Sequence, residues 1–117
     1  ARRRRFVLAS DLEAMGVPPS PLPPLSIPDD IGTLLGWSYV LEGSRLGARL
    51  ILKEIESTQD RALIGATRFL RHGAGMGLWT AFTEVLSRID HDPTSIQDAC
   101  QAARAAFNCF NAVVENF

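Results

Sequence analysis

Six of the seven prolines in this 117-residue chain fall between Pro18 and Pro28, and the seventh is Pro93. Proline fixes φ and has no backbone N–H, so residues 17–28 sustain neither a helix nor a central strand and read as an extended connector. Ahead of it, residues 2–15 predict a short helix ended by Gly16. Behind it, Asp29 and Asp30 offer an N-cap and a negative charge at the positive end of a helix dipole. From Ile31 to about Ile55 the apolar positions recur at helical spacing, which predicts a long helix over about 30–56.

The remaining segments continue the pattern. Residues 57–72 read as a loop followed by a helical piece, and His72-Gly73-Ala74-Gly75-Met76-Gly77 as a flexible break. Leu78, Trp79, Phe82, Val85, Leu86 and Ile89 recur at 3–4 spacing, an amphipathic helix stopped by Asp90-His91-Asp92-Pro93. Thr94 with Gln97 forms a capping-box pattern. Ile96, Cys100, Ala103, Phe107, Phe110 and Val114 then draw one stripe along a final helix. No alternating segment has turn signals at both ends. The predicted class is all-α.

Composition excludes several functions. At 46% hydrophobic and 21% charged residues the chain is too apolar for disorder. No run of eighteen apolar residues is present, so no membrane-spanning helix and no membrane partner are expected. Arg2 to Arg5 resemble the start of a signal peptide, but Asp11 leaves only four apolar residues after them, too few for its hydrophobic core. With these arginines set aside the net charge of −1 becomes −5, which argues against a nucleic-acid partner. The missing initial methionine and the abrupt basic start read as a mid-chain segment of something longer. Cys100 and Cys109 sit about 13 Å apart by helical rise, too far to bond each other, so a reducing cytoplasm is the expected location.

The informative feature is the placement of Gly32, Gly36, Gly43 and Gly47 on the long helix. At about 100° per residue they fall within roughly 60° of one another, with Tyr39 on nearly the same face. Four glycines in one helix cost close to 1 kcal/mol each relative to alanine, so their alignment calls for a reason. Two remain open. Helices pack closely over such a seam, or a flat ligand lies against the bare backbone.

Tyr39-Val40-Leu41-Glu42-Gly43-Ser44-Arg45-Leu46-Gly47-Ala48 resembles the distal-helix motif of bacterial, biliverdin-producing heme oxygenases, especially those found beside bacteriophytochromes. Arg68-Phe69-Leu70, the glycine-rich break, Trp79 with Phe82, and Ala103-Arg104-Ala105-Ala106-Phe107 add to the likeness, which covers the chain from about Leu8 onward. The resemblance implies a heme oxygenase-like helical fold in which heme is both substrate and cofactor. It implies oxidative cleavage at a meso carbon to biliverdin, carbon monoxide and iron, with an electron donor as partner. Gly43, Ser44 and Gly47 take the catalytic positions: the glycines press the backbone onto the oxygen ligand, and Ser44 supplies a polar anchor. Tyr39, Gly43, Gly47, Arg104 and Phe107 are the implied heme contacts, with Arg104 and Tyr39 directed at a propionate.

The chain departs from that family at its start. The family's proximal histidine lies on a first helix ahead of the segment matching Leu8, so the expectation is a C-terminal portion lacking the N-terminal helices and the iron ligand. His72 in the break and His91 between two aspartates read as loop and turn residues, so no metal ligand is assigned. Ala48 replaces a second glycine of the motif, narrowing the distal floor by one methyl. Residues 1–117 are thus one heme oxygenase-like domain or the C-terminal part of one. The chain is read as a truncated enzyme, a degenerate relative, or one wall completed by a second chain. Each leaves the glycine face and the phenylalanine stripe to be buried, and self-association is expected. The alternative function is a non-catalytic helical module that associates through those faces.

Other chemistry is set aside. Asp90, His91 and Asp92 are adjacent and point apart, unlike a metal site. Gly73, Gly75 and Gly77 lack the spacing of a phosphate loop, and no strand precedes them. Cys100 and Cys109 read as small core residues, and Trp37 and Trp79 as packing residues.

Overall fold

The computed structural model describes residues 4–19, 25–89 and 92–115. Six helices follow in order: α1 (Arg5–Ala14), α2 (Ile31–Thr58), α3 (Arg61–Ile64), α4 (Arg68–Arg71), α5 (Leu78–Arg88) and α6 (Pro93–Glu115). Among the described residues there is no strand, and the all-α expectation holds. No described helix is long and apolar enough to cross a membrane.

The chain divides into two compact units. One comprises Ala1–Pro24 and Arg45–Leu78, the other Leu25–Ser44 and Trp79–Phe117. In the first unit α1 packs on α4. Asp11 makes the joint: 5% exposed, it reaches from α1 to accept the N–H groups of Arg68 (3.0 Å) and Phe69 (2.7 Å) at the start of α4. A carboxylate there satisfies two donors that a helix start leaves open and lies at the positive end of the helix. Arg68 also donates to the Ser10 hydroxyl at 2.6 Å, and the Arg4 guanidinium stands 4.5 Å from the centre of the Phe69 ring. Gly16, with φ +70°, turns the chain out of α1, a conformation that side chains with a Cβ resist.

The second unit is built on α2 and α6. Asp30 caps α2, accepting the Thr33 N–H at 2.9 Å and its hydroxyl at 2.8 Å. Those two bonds, the backbone one foremost, hold the Asp30 carboxyl below the ordinary carboxylate range. At Gly32 a Cβ would stand 2.6 Å from the Ser95 carbonyl oxygen, and at Gly36 it would meet the Ala99 carbonyl oxygen and, at 2.7 Å, the Ala102 methyl. The two helices therefore run in the same direction, backbone against backbone. Ala106, 0% exposed, continues the contact face of α6.

Three local expectations change. The long helix continues through Ser57 and Thr58, whose hydroxyls bond back to the Glu54 and Ile55 carbonyls, and it ends only before Gln59 at φ +56°. Asp60 then caps α3 within the stretch read as loop. The cap of α6 is Asp92, which accepts the Ser95 N–H at 2.7 Å, rather than Thr94. Pro93 takes the first helical position, where its fixed φ and missing N–H cost nothing, and so moves the start two residues earlier. Finally, the stripe Ile96, Cys100, Phe107, Phe110 and Val114 is exposed; the packed side of α6 is its alanine side.

Candidate functional site

Helix α2 carries most of the predicted site. Its four glycines divide by environment. Gly32 and Gly36 have no room for a side chain because α6 fills the space, so the close-packing reading is correct for them. At Gly43 a Cβ would meet Trp79 Cζ3 at 3.5 Å and Cη2 at 3.8 Å, ordinary contact distances. At Gly47, one turn further along the same helix, it would meet nothing within 4 Å. Packing in this structure thus explains the first two glycines and leaves the other two unexplained.

Gly43 lies in an aromatic setting within the second unit. Tyr39, one turn before it, is 48% exposed, and its ring centre is 5.7 Å from that of Trp79 with the planes at 57°. Trp79 in turn lies 5.9 Å from Phe82, which is buried. Offset and tilted rings at these separations hold one another in place. The sequence reading had Trp79 as a packing residue; it packs against Gly43 and Tyr39, two of the residues singled out for the site. The shared feature visible in the sequence is that Trp79 and Phe82 stand i, i+3 on one face of α5.

Ser44 is exposed, and its hydroxyl donates to the Leu41 carbonyl at 2.6 Å, a bond back onto its own helix. Arg104 and Phe107 are exposed on α6, outside its alanine side; Phe107 is 54% exposed. Ala48, by contrast, is buried. Its methyl is part of the packing of α2, so the expected narrowing of an open floor is not where this side chain lies.

In the first unit Arg45 of α2 is buried and binds the glycine-rich break. Its Nη1 donates to the His72 carbonyl at 2.6 Å and lies 3.2 Å from His72 Nδ1. Gly73, with φ +76°, closes over this group: a Cβ there would stand 2.8 Å from the same Nη1 and 2.7 Å from Leu78 Cδ1. Burial, followed by the charges of Arg45 and Arg4, holds the His72 imidazole below the ordinary histidine value of 6.5. His72 is thus a loop residue occupied with Arg45, as expected; His91 lies outside the described residues. Among the described residues no three His, Cys, Asp or Glu side chains gather as a metal site.

Residues 27–116 match the family model described as heme oxygenase. Over 82 residues, 69% of this chain, the sequence is 30% identical to heme oxygenase PigA of Pseudomonas aeruginosa, and the match covers 41% of that protein. The chain therefore spans about two fifths of the length of this curated relative. No solved structure matches it. The family match takes in α2 with all four glycines, the aromatic pair of α5 and the whole of α6, and the chain belongs to the heme oxygenase family.

Proposed function

We propose that this chain supplies the distal wall of a heme-degrading oxygenase whose substrate is heme and whose products are biliverdin, carbon monoxide and iron. The observation that carries the reading is the bare backbone at Gly47 within a helix that the family model covers. A glycine on a helix face with nothing opposite it costs helix stability without serving packing. A flat macrocycle pressed against the backbone gives it a purpose, and the open space at Gly47 fits such a group.

Heme, when bound, supplies both the iron centre for oxygen activation and the ring that is oxidised. The work of this chain is to bind and orient. Gly43 and Gly47 would let the α2 backbone approach a bound heme closely, with no side chain of their own between helix and ring. Ser44 is assigned as the polar residue on that side of the helix. Arg104 and Tyr39 are assigned to the propionates, as a charge-assisted partner and a phenolic donor, and Phe107 to the apolar rim. His72 is engaged with Arg45 and is not assigned to the heme iron. A one-electron donor completes the reaction. The motif from Tyr39 to Ser44 favours the type found beside bacteriophytochromes.

Titration with hemin, with and without added imidazole to take the place of the axial ligand, tests the reading. A sharp, saturable Soret band supports it. The broad absorbance of free hemin under both conditions overturns it and leaves the second reading, a helical module that associates through its apolar faces. That alternative is favoured by one observation, the exposure of Phe107, Phe110 and Val114 along α6.

A further inference from the structure

We propose that Trp79 touches the bound macrocycle and sets its position at Gly43, an inference that rests on the heme reading above. The indole's six-membered ring stands in van der Waals reach of the bare α-carbon region of Gly43, with Cζ3 and Cη2 at 3.5 and 3.8 Å from where a Cβ would be. The ring is held from two sides, by Tyr39 at 5.7 Å and Phe82 at 5.9 Å. Phe82 is itself buried, so this end of the stack is fixed in the core of the unit. Trp79 keeps part of its surface accessible beside an exposed Tyr39.

A planar group laid on the Gly43 face cannot occupy the volume the indole already fills. It meets the indole edge and stops there. Swinging the ring aside would break both aromatic contacts. Trp79 therefore acts as a side wall that fixes how far the macrocycle slides along the helix, and it adds apolar contact to the bound ring.

The test compares the wild-type chain with Trp79→Ala, Trp79→Phe and Trp37→Phe in hemin titrations read by Soret absorbance and by induced Soret circular dichroism. The latter arises from coupling between the porphyrin and nearby aromatic rings, and a tryptophan acting on folding alone would not govern it. Expected is a loss of affinity of about tenfold or more for Trp79→Ala, about 1.4 kcal/mol, with an altered Soret dichroism. Trp79→Phe recovers most of the affinity while the dichroism stays changed, and Trp37→Phe matches wild type in both. Should Trp79→Ala fail to fold, Trp79→Phe alone decides through its dichroism. Variants that bind hemin with wild-type affinity and dichroism overturn the role of Trp79 while leaving the heme reading intact. A wild-type chain that does not bind hemin overturns that reading first, and the role of Trp79 with it.

Discussion

Gly36 and Ala99 meet so closely that a Cβ on the glycine would fall against the alanine's carbonyl oxygen. Backbone, unlike the end of a flexible side chain, yields only if α2 and α6 part. Gly36→Ala gains helix propensity of up to about 1 kcal/mol but must separate the helices, and overpacking of this kind costs about 1–3 kcal/mol. Because the clash involves a carbonyl and the Ala102 methyl together, the cost is expected to win, lowering the melting temperature by several degrees. Gly32→Ala, set against the Ser95 carbonyl at 2.6 Å, should behave alike. Thermal unfolding followed by circular dichroism reads both.

The same substitution two or three turns later predicts the opposite. Gly47→Ala meets nothing within 4 Å, and Gly43→Ala touches Trp79 at an ordinary 3.5 Å. Both variants should fold with unchanged or slightly raised melting temperature. Hemin affinity should nonetheless fall, more steeply for Gly47→Leu than for Gly47→Ala, because the added side chain occupies the floor. Unaltered hemin binding in Gly47→Leu would remove the glycine face from the site.

Much of this was legible in the sequence. The proline cluster isolates α1 from α2, Asp30 caps where an acid before a periodic run should, and the glycine alignment marks α2 as the helix to inspect. Hydrophobicity misleads on α6. It draws attention to Phe107 and Phe110, whereas Ala99, Ala102 and Ala106 make the contact, because only small side chains let a helix reach the backbone at Gly32 and Gly36. Sequence also could not divide the four glycines between packing and open surface. That division depends on which residues, 36 to 67 positions away, lie opposite each one. The bond from Asp11 to the start of α4 was hidden for the same reason, since 57 and 58 residues separate its partners.

Asp11 gives a prediction about the first unit. Asp11→Ala leaves the N–H groups of Arg68 and Phe69 without their acceptor at a buried joint, which should cost about 2 kcal/mol. Asp11→Asn keeps one acceptor oxygen and should lose roughly half as much. Hydrogen exchange at Phe69 should quicken in both variants, in the same order, while amides of α6 stay protected. Equal exchange at Phe69 in wild type and Asp11→Ala would show that another group takes over the cap.

His72 makes stability depend on pH. Its folded-state pKa lies below the ordinary 6.5, through burial first and the Arg45 charge second, so the unfolded chain binds the proton more readily. The stabilisation is complete above about 6.5 and is lost as pH falls through the lowered folded-state value. Protonation at Nδ1 would also place a positive charge 3.2 Å from Arg45 Nη1. Urea midpoints should therefore decline on moving from about pH 7.5 to 5.5, and His72→Gln, which keeps an acceptor but does not titrate, should flatten that decline. A slope that survives His72→Gln unchanged assigns it to other groups.

The exposed stripe on α6 supports the last prediction. Phe107, Phe110 and Val114 follow at spacings of three and four, so they present one continuous apolar strip, and each is at least 46% exposed. Apolar surface arranged this way favours burial against another molecule, whereas scattered exposed residues do not. Phe107→Lys with Phe110→Lys should leave the melting temperature within about a degree, because neither ring contributes to the alanine face that packs on α2. The double variant should also shift sedimentation toward monomer at concentrations where the wild-type chain associates. An unchanged sedimentation profile would show that association, if present, uses another face, and a large fall in melting temperature would show that the stripe belongs to the folded core after all.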